Sequence, residues 1–138
     1  STSGTTVDAV LHGEFEEELI GDNGRVVDSL QYLLRKIVGR RSSVRLRVNV
    51  DVGDWRARRL ADLRRQALEL AEKVRSGGDS GVLEGLNPAE RREVHLLIQE
   101  EEGVDSRSVG NGMFKKVLIC RPGSGGRSGR RGRGSRNR

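Results

Sequence analysis

The sequence predicts an α+β protein: two small α/β-sandwich-like units in tandem, followed by a disordered Arg/Gly-rich tail. Three observations carry this. Segments with apolar residues at period 2 and at helical spacing alternate along residues 7–120. Glycine-rich breaks separate them. After Pro122 the chain holds only glycine, serine, arginine and one asparagine, so nothing there can form a core. The expected divisions are residues 1–54, 55–122 and 123–138.

Ser1 to Thr6 is small and polar and should fray; Val7–Leu11 suits a short strand. Glu14–Ile20, with Phe15, Leu19 and Ile20 as its apolar positions, suits a short helix or turn. Gly21-Asp22-Asn23-Gly24 makes a sharp loop. Val26, Val27, Leu30, Leu33, Leu34, Ile37 and Val38 then recur at helical spacing, which predicts an amphipathic helix from Arg25 to about Val38 with Gly39 as its C-cap. Val44, Leu46, Val48, Val50 and Val52 alternate with Arg45, Arg47, Asn49 and Asp51, a strand with one apolar face. Asp54 can cap the next helix, about six turns long, whose stripe is Leu60, Leu63, Ala67, Leu70, Ala71 and Val74. Its opening is basic, with Arg56, Arg58, Arg59, Arg64 and Arg65; Asp62, Glu69 and Glu72 balance it.

Val82–Leu86 predicts a brief strand. Leu86-Asn-Pro-Ala-Glu-Arg-Arg-Glu-Val-His95 then carries a full set of helix-start signals: Asn87 as N-cap, Pro88 in the first turn, and Glu90 placed to close a capping box. Arg91 and His95 stand at i and i+4, one turn apart on one face. Such a pair fits an anion contact, and it also fits an ordinary solvated helix face. Glu90 and Glu93 offer the neighbouring arginines surface ion pairs. The helix should run to about Glu100, with strands at Val104–Val109 and Phe114–Cys120.

Composition narrows the function. Of 26 basic residues, seven stand from Arg121 onward, so 19 face 20 acids in residues 1–120, a net of −1. Selective anion binding by the body must therefore be local, while tail arginines such as Arg127, Arg130, Arg131 and Arg133 supply salt-sensitive attraction to any nucleic acid. No leader and no membrane span is visible, and a reducing cytoplasm suits the single Cys120. Cys120, His12 and His95 do not make a zinc set, no catalytic Ser–His–acid or Cys–His spacing is visible, and the glycine loop lacks a P-loop ending. No cofactor, metal or small-molecule substrate is expected. With only Phe15, Tyr32, Trp55 and Phe114 as aromatics, base stacking on a sheet is poorly supplied, and Phe15 and Phe114 are expected in the core.

Ile20-Gly-Asp-Asn-Gly-Arg25 before an amphipathic helix resembles the GxxG loop of a KH domain. The longer run Leu19–Val38, through Asp28, Leu30, Gln31, Tyr32 and Leu33, resembles the KH domain of the bacterial Jag family (SpoIIIJ-associated, or KhpB-type). That resemblance implies RNA contact through Gly21, Asp22, Asn23, Gly24 and Arg25, although Asp22 repels phosphate unless it turns away. The stretch around Arg91 and His95 resembles the R-three-H domain, named for its Arg-x-x-x-His motif. Ser108 and Gly110 match its serine-x-glycine turn, and Lys115 and Lys116 match its basic pair. A KH-like unit followed by an R-three-H unit is the Jag arrangement, and the family's N-terminal Jag domain is expected to be absent. The resemblance implies a non-catalytic protein that binds single-stranded RNA, or single-stranded DNA, through Arg91, Arg92, His95, Ser108, Lys115 and Lys116. It also implies a post-transcriptional role linked to cell-envelope growth and division. The alternative it leaves is an interaction adaptor that pairs with another KH protein or with the membrane-insertion machinery; the basic tail could also attract the ribosome or an acidic lipid surface.

Overall fold

The computed structural model describes residues 4–123. The expectations of a disordered tail and of tail contacts by Arg127, Arg130, Arg131 and Arg133 fall outside the described residues. The elements run β1 (Thr5–Leu11), α1 (Glu16–Ile20), α2 (Arg25–Arg41), β2 (Leu46–Val52), α3 (Trp55–Arg75), β3 (Gly81–Leu86), α4 (Pro88–Gln99), β4 (Asp105–Val109) and β5 (Lys115–Cys120). The chain divides into two compact units, and the division falls inside α3, between Asp62 and Leu63. The start of α3 groups with the first unit because Trp55 packs on that unit's core and Arg56 bonds the Val50 carbonyl. The expected division at residue 54 lies one residue before this helix begins.

In the first unit β1 and β2 run parallel, from Thr5 opposite Leu46 to Leu11 opposite Val52. β1 thus begins inside the segment expected to fray, because Thr5 and Thr6 have partners in β2. A parallel pair needs a crossover, and α1, the glycine loop and α2 provide it. The period-2 pattern of β2 puts Val48, Val50 and Val52 into the core beside Val27, with Leu11, Leu19, Ile20, Leu30, Leu34 and Val38 packed around them. Two expectations change here. Gly39 is not the C-cap: α2 continues to Arg41, and the Ser42 amide bonds the Val38 carbonyl, while Val38 holds the last turn on the core. Phe15 is not core: it is 68% exposed, because it precedes a helix of only five residues whose packed positions are Leu19 and Ile20.

In the second unit β3, β5 and β4 form an antiparallel sheet with β5 central. Leu63, Ala67, Ala71 and Val74, spaced along one stripe of α3, meet Leu83 and Leu86 of β3, Val94 and Ile98 of α4, and Val117 and Ile119 of β5 in one core. Phe114, expected in this core, is half-buried at the mouth of β5.

Candidate nucleic-acid interface

The start of α4 is fixed by the capping box its sequence specifies. Asn87 Oδ1 accepts from the Glu90 amide at 2.9 Å, and Glu90 Oε2 accepts from the Asn87 amide at 3.0 Å. Such a cap contributes about 1 kcal/mol. It also fixes where the i, i+4 pair points. Arg91 Nη1 donates to the Leu86 carbonyl at 2.7 Å and to the Met113 carbonyl at 2.6 Å, tying the end of β3 to the approach to β5. Among the described residues no acceptor meets its Nε or Nη2, so part of the guanidinium fork stays available.

His95 sits against β4. Its Nδ1 lies 2.7 Å from Ser106 Oγ and its Nε2 2.9 Å from Ser108 Oγ. Period 2 explains the arrangement. Ser106 and Ser108 pair with Ile119 and Val117, so they share the face that carries the core and α4. A neutral imidazole donates from one nitrogen and accepts at the other, so one serine accepts from the ring and the other donates to it. Burial holds the His95 pKa below its usual value; Arg91 pushes the same way and Asp105 opposes them. The ring is therefore neutral near pH 7. The result is a half-exposed patch of one arginine, one imidazole and two hydroxyls, all hydrogen-bonding groups held on a capped helix and a sheet strand.

The other expected residues divide. Arg92 is exposed on α4. Lys115 is half-buried and has the parity of Val117, the side on which the serines stand. Lys116 alternates to the opposite face, where its ammonium lies 3.2 Å from Glu84. The structure does not bring Lys116 together with Arg91 and His95. Glu93 pairs with Arg64 at 3.0 Å, and Glu90 serves the cap. Ser106 joins this patch through His95, although the motif does not include it. Its signal is simple: two residues before Ser108 on a strand means the same face.

The glycine loop has a packing job. Gly24 is buried with φ +79°, and a Cβ there would lie 2.5 Å from Trp55 Nε1. Gly21 closes α1, its amide bonding the Glu17 carbonyl at 2.8 Å, and Asn23 takes φ +54°. Asp22 Oδ2 lies 3.7 Å from Arg25 Nε, so the carboxylate turns onto the helix start and the two exposed charges offset each other. Of the residues behind the loop, Asp28 is buried and accepts from Arg56 Nη1 at 2.6 Å. Gln31 Oε1 accepts from the Val50 amide at 2.9 Å, Arg56 Nε donates to the Val50 carbonyl at 2.7 Å, and Arg35 Nε donates to the Val48 carbonyl at 2.6 Å. These side chains satisfy polar groups on the edge of β2 that β1 does not cover. The sequence places Arg56 only in a basic surface; nothing in local spacing shows that it reaches Asp28.

Among the described residues no group of three or more His, Cys, Asp or Glu is placed to hold a metal ion, and no helix is long and apolar enough to cross a membrane.

Residues 61–121 match the R-three-H domain. The chain is 39% identical over 109 residues to the "RNA-binding protein KhpB" of Clostridium symbiosum, covering 79% of this chain and 49% of that protein. It is 30% identical over 102 residues to the protein of that name from Lactiplantibacillus plantarum (74% and 32% covered), and 30% identical over 101 residues to the one from Streptococcus pneumoniae (73% and 31%). The chain thus spans about half the length of the first of these relatives and about a third of the others. The 109-residue alignment is too long to be confined to the R-three-H match and the residues after it, so it also takes in part of the first unit. The second unit thus carries the R-three-H match, and the chain is similar to proteins named RNA-binding protein KhpB over part of their length.

Proposed function

We propose that this chain is a non-catalytic, single-stranded RNA-binding protein whose selective contact is the Arg91–His95 face of its R-three-H domain. One observation carries the reading: the two motif residues stand half-exposed on a capped helix, with Ser106 and Ser108 completing a polar patch. The relatives named as RNA-binding proteins agree with it. Arg91 can fork onto a phosphate with its remaining N–H groups, while His95, whose two ring nitrogens are held by Ser106 and Ser108, can stack on a base and Ser108 offers its hydroxyl. We further read the first unit as KH-like, on its strand–helix–glycine loop–helix–strand order, and the tail as bulk electrostatic attraction. Two RNA-facing modules on one chain gain affinity by linkage. The cytoplasmic, post-transcriptional role linked to the cell envelope belongs to the same reading.

The test pairs Arg91→Lys with His95→Gln in one protein, keeping the charge and the polarity near the helix. We expect affinity for a labelled single-stranded RNA to fall roughly tenfold or more, the size of one or two lost charge-assisted bonds. Binding like wild type, with an unchanged thermal melt, would remove this site.

A second reading, an adaptor that pairs with another protein, has one observation in its favour. Val26, Leu33 and Ile37 of α2 are each about half exposed, at 45%, 56% and 51%, and share one side of the helix. Crosslinking in cells separates the readings: RNA recovery that depends on His95 supports binding, and recovery of protein partners alone supports the adaptor.

A further inference from the structure

Residues 35–47 hold six bases, Arg35, Lys36, Arg40, Arg41, Arg45 and Arg47, and no acid. The run turns a corner, since α2 ends at Arg41 and β2 begins at Leu46. Four of the six have a local explanation. Lys36 Nζ lies 5.5 Å from the centre of the Tyr32 ring. Arg40 and Arg41 occupy the last turn of α2, where the helix dipole favours cations. Arg35 is pinned by the Val48 carbonyl at 2.6 Å and by Asn49 Oδ1 at 2.9 Å. Arg45 and Arg47 differ: both are exposed, and among the described residues neither has a hydrogen-bond or ion-pair partner.

These two arginines and Arg35 line one cleft of about 520 Å³, together with Gly4, Thr6 and Leu46. The acid closest in register is Asp8, which accepts from Asn49 Nδ2 at 2.8 Å and is not among the lining residues. Three arginines and no acid are among the residues that line this cleft, so an anion held there would meet only positive charge from its walls. Arg45 and Arg47 stand two residues apart on an extended segment, about 6.6 Å along the strand. That is close to one phosphate step of an extended single strand, which favours a polyanion over a small phosphate ester.

We propose that this cleft is a second nucleic-acid site, in which Arg45 and Arg47 each fork onto a backbone phosphate of single-stranded RNA beside the fixed charge of Arg35. It lies toward the C-terminal end of α2, away from the glycine loop at that helix's start. The inference rests on the RNA-binding reading above and adds a contact that the motif residues do not supply.

The experiment measures binding of the full chain to a fluorescein-labelled twelve-nucleotide oligouridine across a salt series. Arg45→Ala with Arg47→Ala should weaken binding roughly tenfold at about 0.1 M salt and lower the slope of log affinity against log salt by about 1.4, the loss of two single-strand phosphate contacts. Arg40→Ala with Arg41→Ala removes the same charge outside the lining and should change both quantities much less. The thermal melt of the Arg45/Arg47 variant should match wild type, because among the described residues neither guanidinium has a hydrogen-bond or ion-pair partner. Unchanged affinity and slope in the Arg45/Arg47 variant, or an equal loss in both variants, overturns the site. If wild type binds and only Arg91→Lys/His95→Gln weakens it, this cleft fails while the RNA-binding reading stands. If wild type binds no RNA, both fail.

Discussion

The glycine loop and the Arg–His helix begin from comparable sequence motifs, yet their side chains do different work. At the loop, Gly24 makes room for the Trp55 indole, Asp22 and Arg25 offset each other, and Asp28 and Gln31 behind it brace the edge of β2. At the helix, Arg91 also braces the fold, among the described residues through Nη1 alone, and His95 and Ser108 remain partly open to solvent. A motif residue can therefore be required for the fold, for a ligand, or for both. Mutation alone does not distinguish these unless stability and binding are measured on the same variant.

The largest expected effect lies in the first unit. Asp28→Ala leaves Arg56 without its buried carboxylate, and we expect a loss of about 3 kcal/mol, the usual scale for breaking a buried pair. Chemical denaturation should show it, with hydrogen exchange accelerated in α2 and β2 and not in β5. A variant as stable as wild type would mean that this network braces nothing.

Gly24→Ala should come next. The positive φ and the indole in the way together cost about 2 kcal/mol. If the loop acts through packing, the same variant, studied where it is still folded, should bind RNA within about twofold of wild type. A large affinity loss at unchanged stability would return the loop to the RNA surface.

A third effect is pH-dependent. The folded pKa of His95 is lowered, so the group favours folding above the ordinary imidazole value of about 6.5, and this contribution is lost as pH falls through that value toward the folded one. RNA binding should move the opposite way, tightening on acidification as the ring gains charge beside the phosphate. His95→Gln should abolish both trends; their persistence would assign them to other groups.

The smallest effect is expected at Lys116. It faces away from Ser108 and pairs with Glu84 in solvent, so Lys116→Ala should change stability by no more than about 0.5 kcal/mol. RNA affinity should shift less than in His95→Gln. An equal shift would extend the binding surface to the far side of the sheet.

Much of the fold is legible in the chain. Strand alternation at Val48, Val50 and Val52 and the Asn87–Glu90 cap are local signals, and the structure shows both. What local spacing cannot show are contacts between residues far apart in sequence. Gly24 with Trp55, Asp28 with Arg56, and Arg91 with the Met113 carbonyl each join separate elements. The tie from His95 to Ser106 lies between these cases: parity on β4 is readable, but which residue of α4 stands over it is not. The basic run at residues 35–47 is in plain view, but it straddles the end of α2 and the start of β2, so local spacing does not show that Arg35, Arg45 and Arg47 line one cleft.

The most direct test of the Arg91–His95 face is an NMR titration of the two histidines. His12 is exposed in the first unit and serves as an internal reference, while His95 lies at the proposed contact. The imidazole resonances are followed against pH with and without a saturating single-stranded RNA oligonucleotide. Phosphate beside His95 should raise its midpoint clearly while His12 moves little. A His95 midpoint unchanged by bound RNA, or a shift no larger than that of His12, would contradict the assignment of this face as the selective nucleic-acid contact.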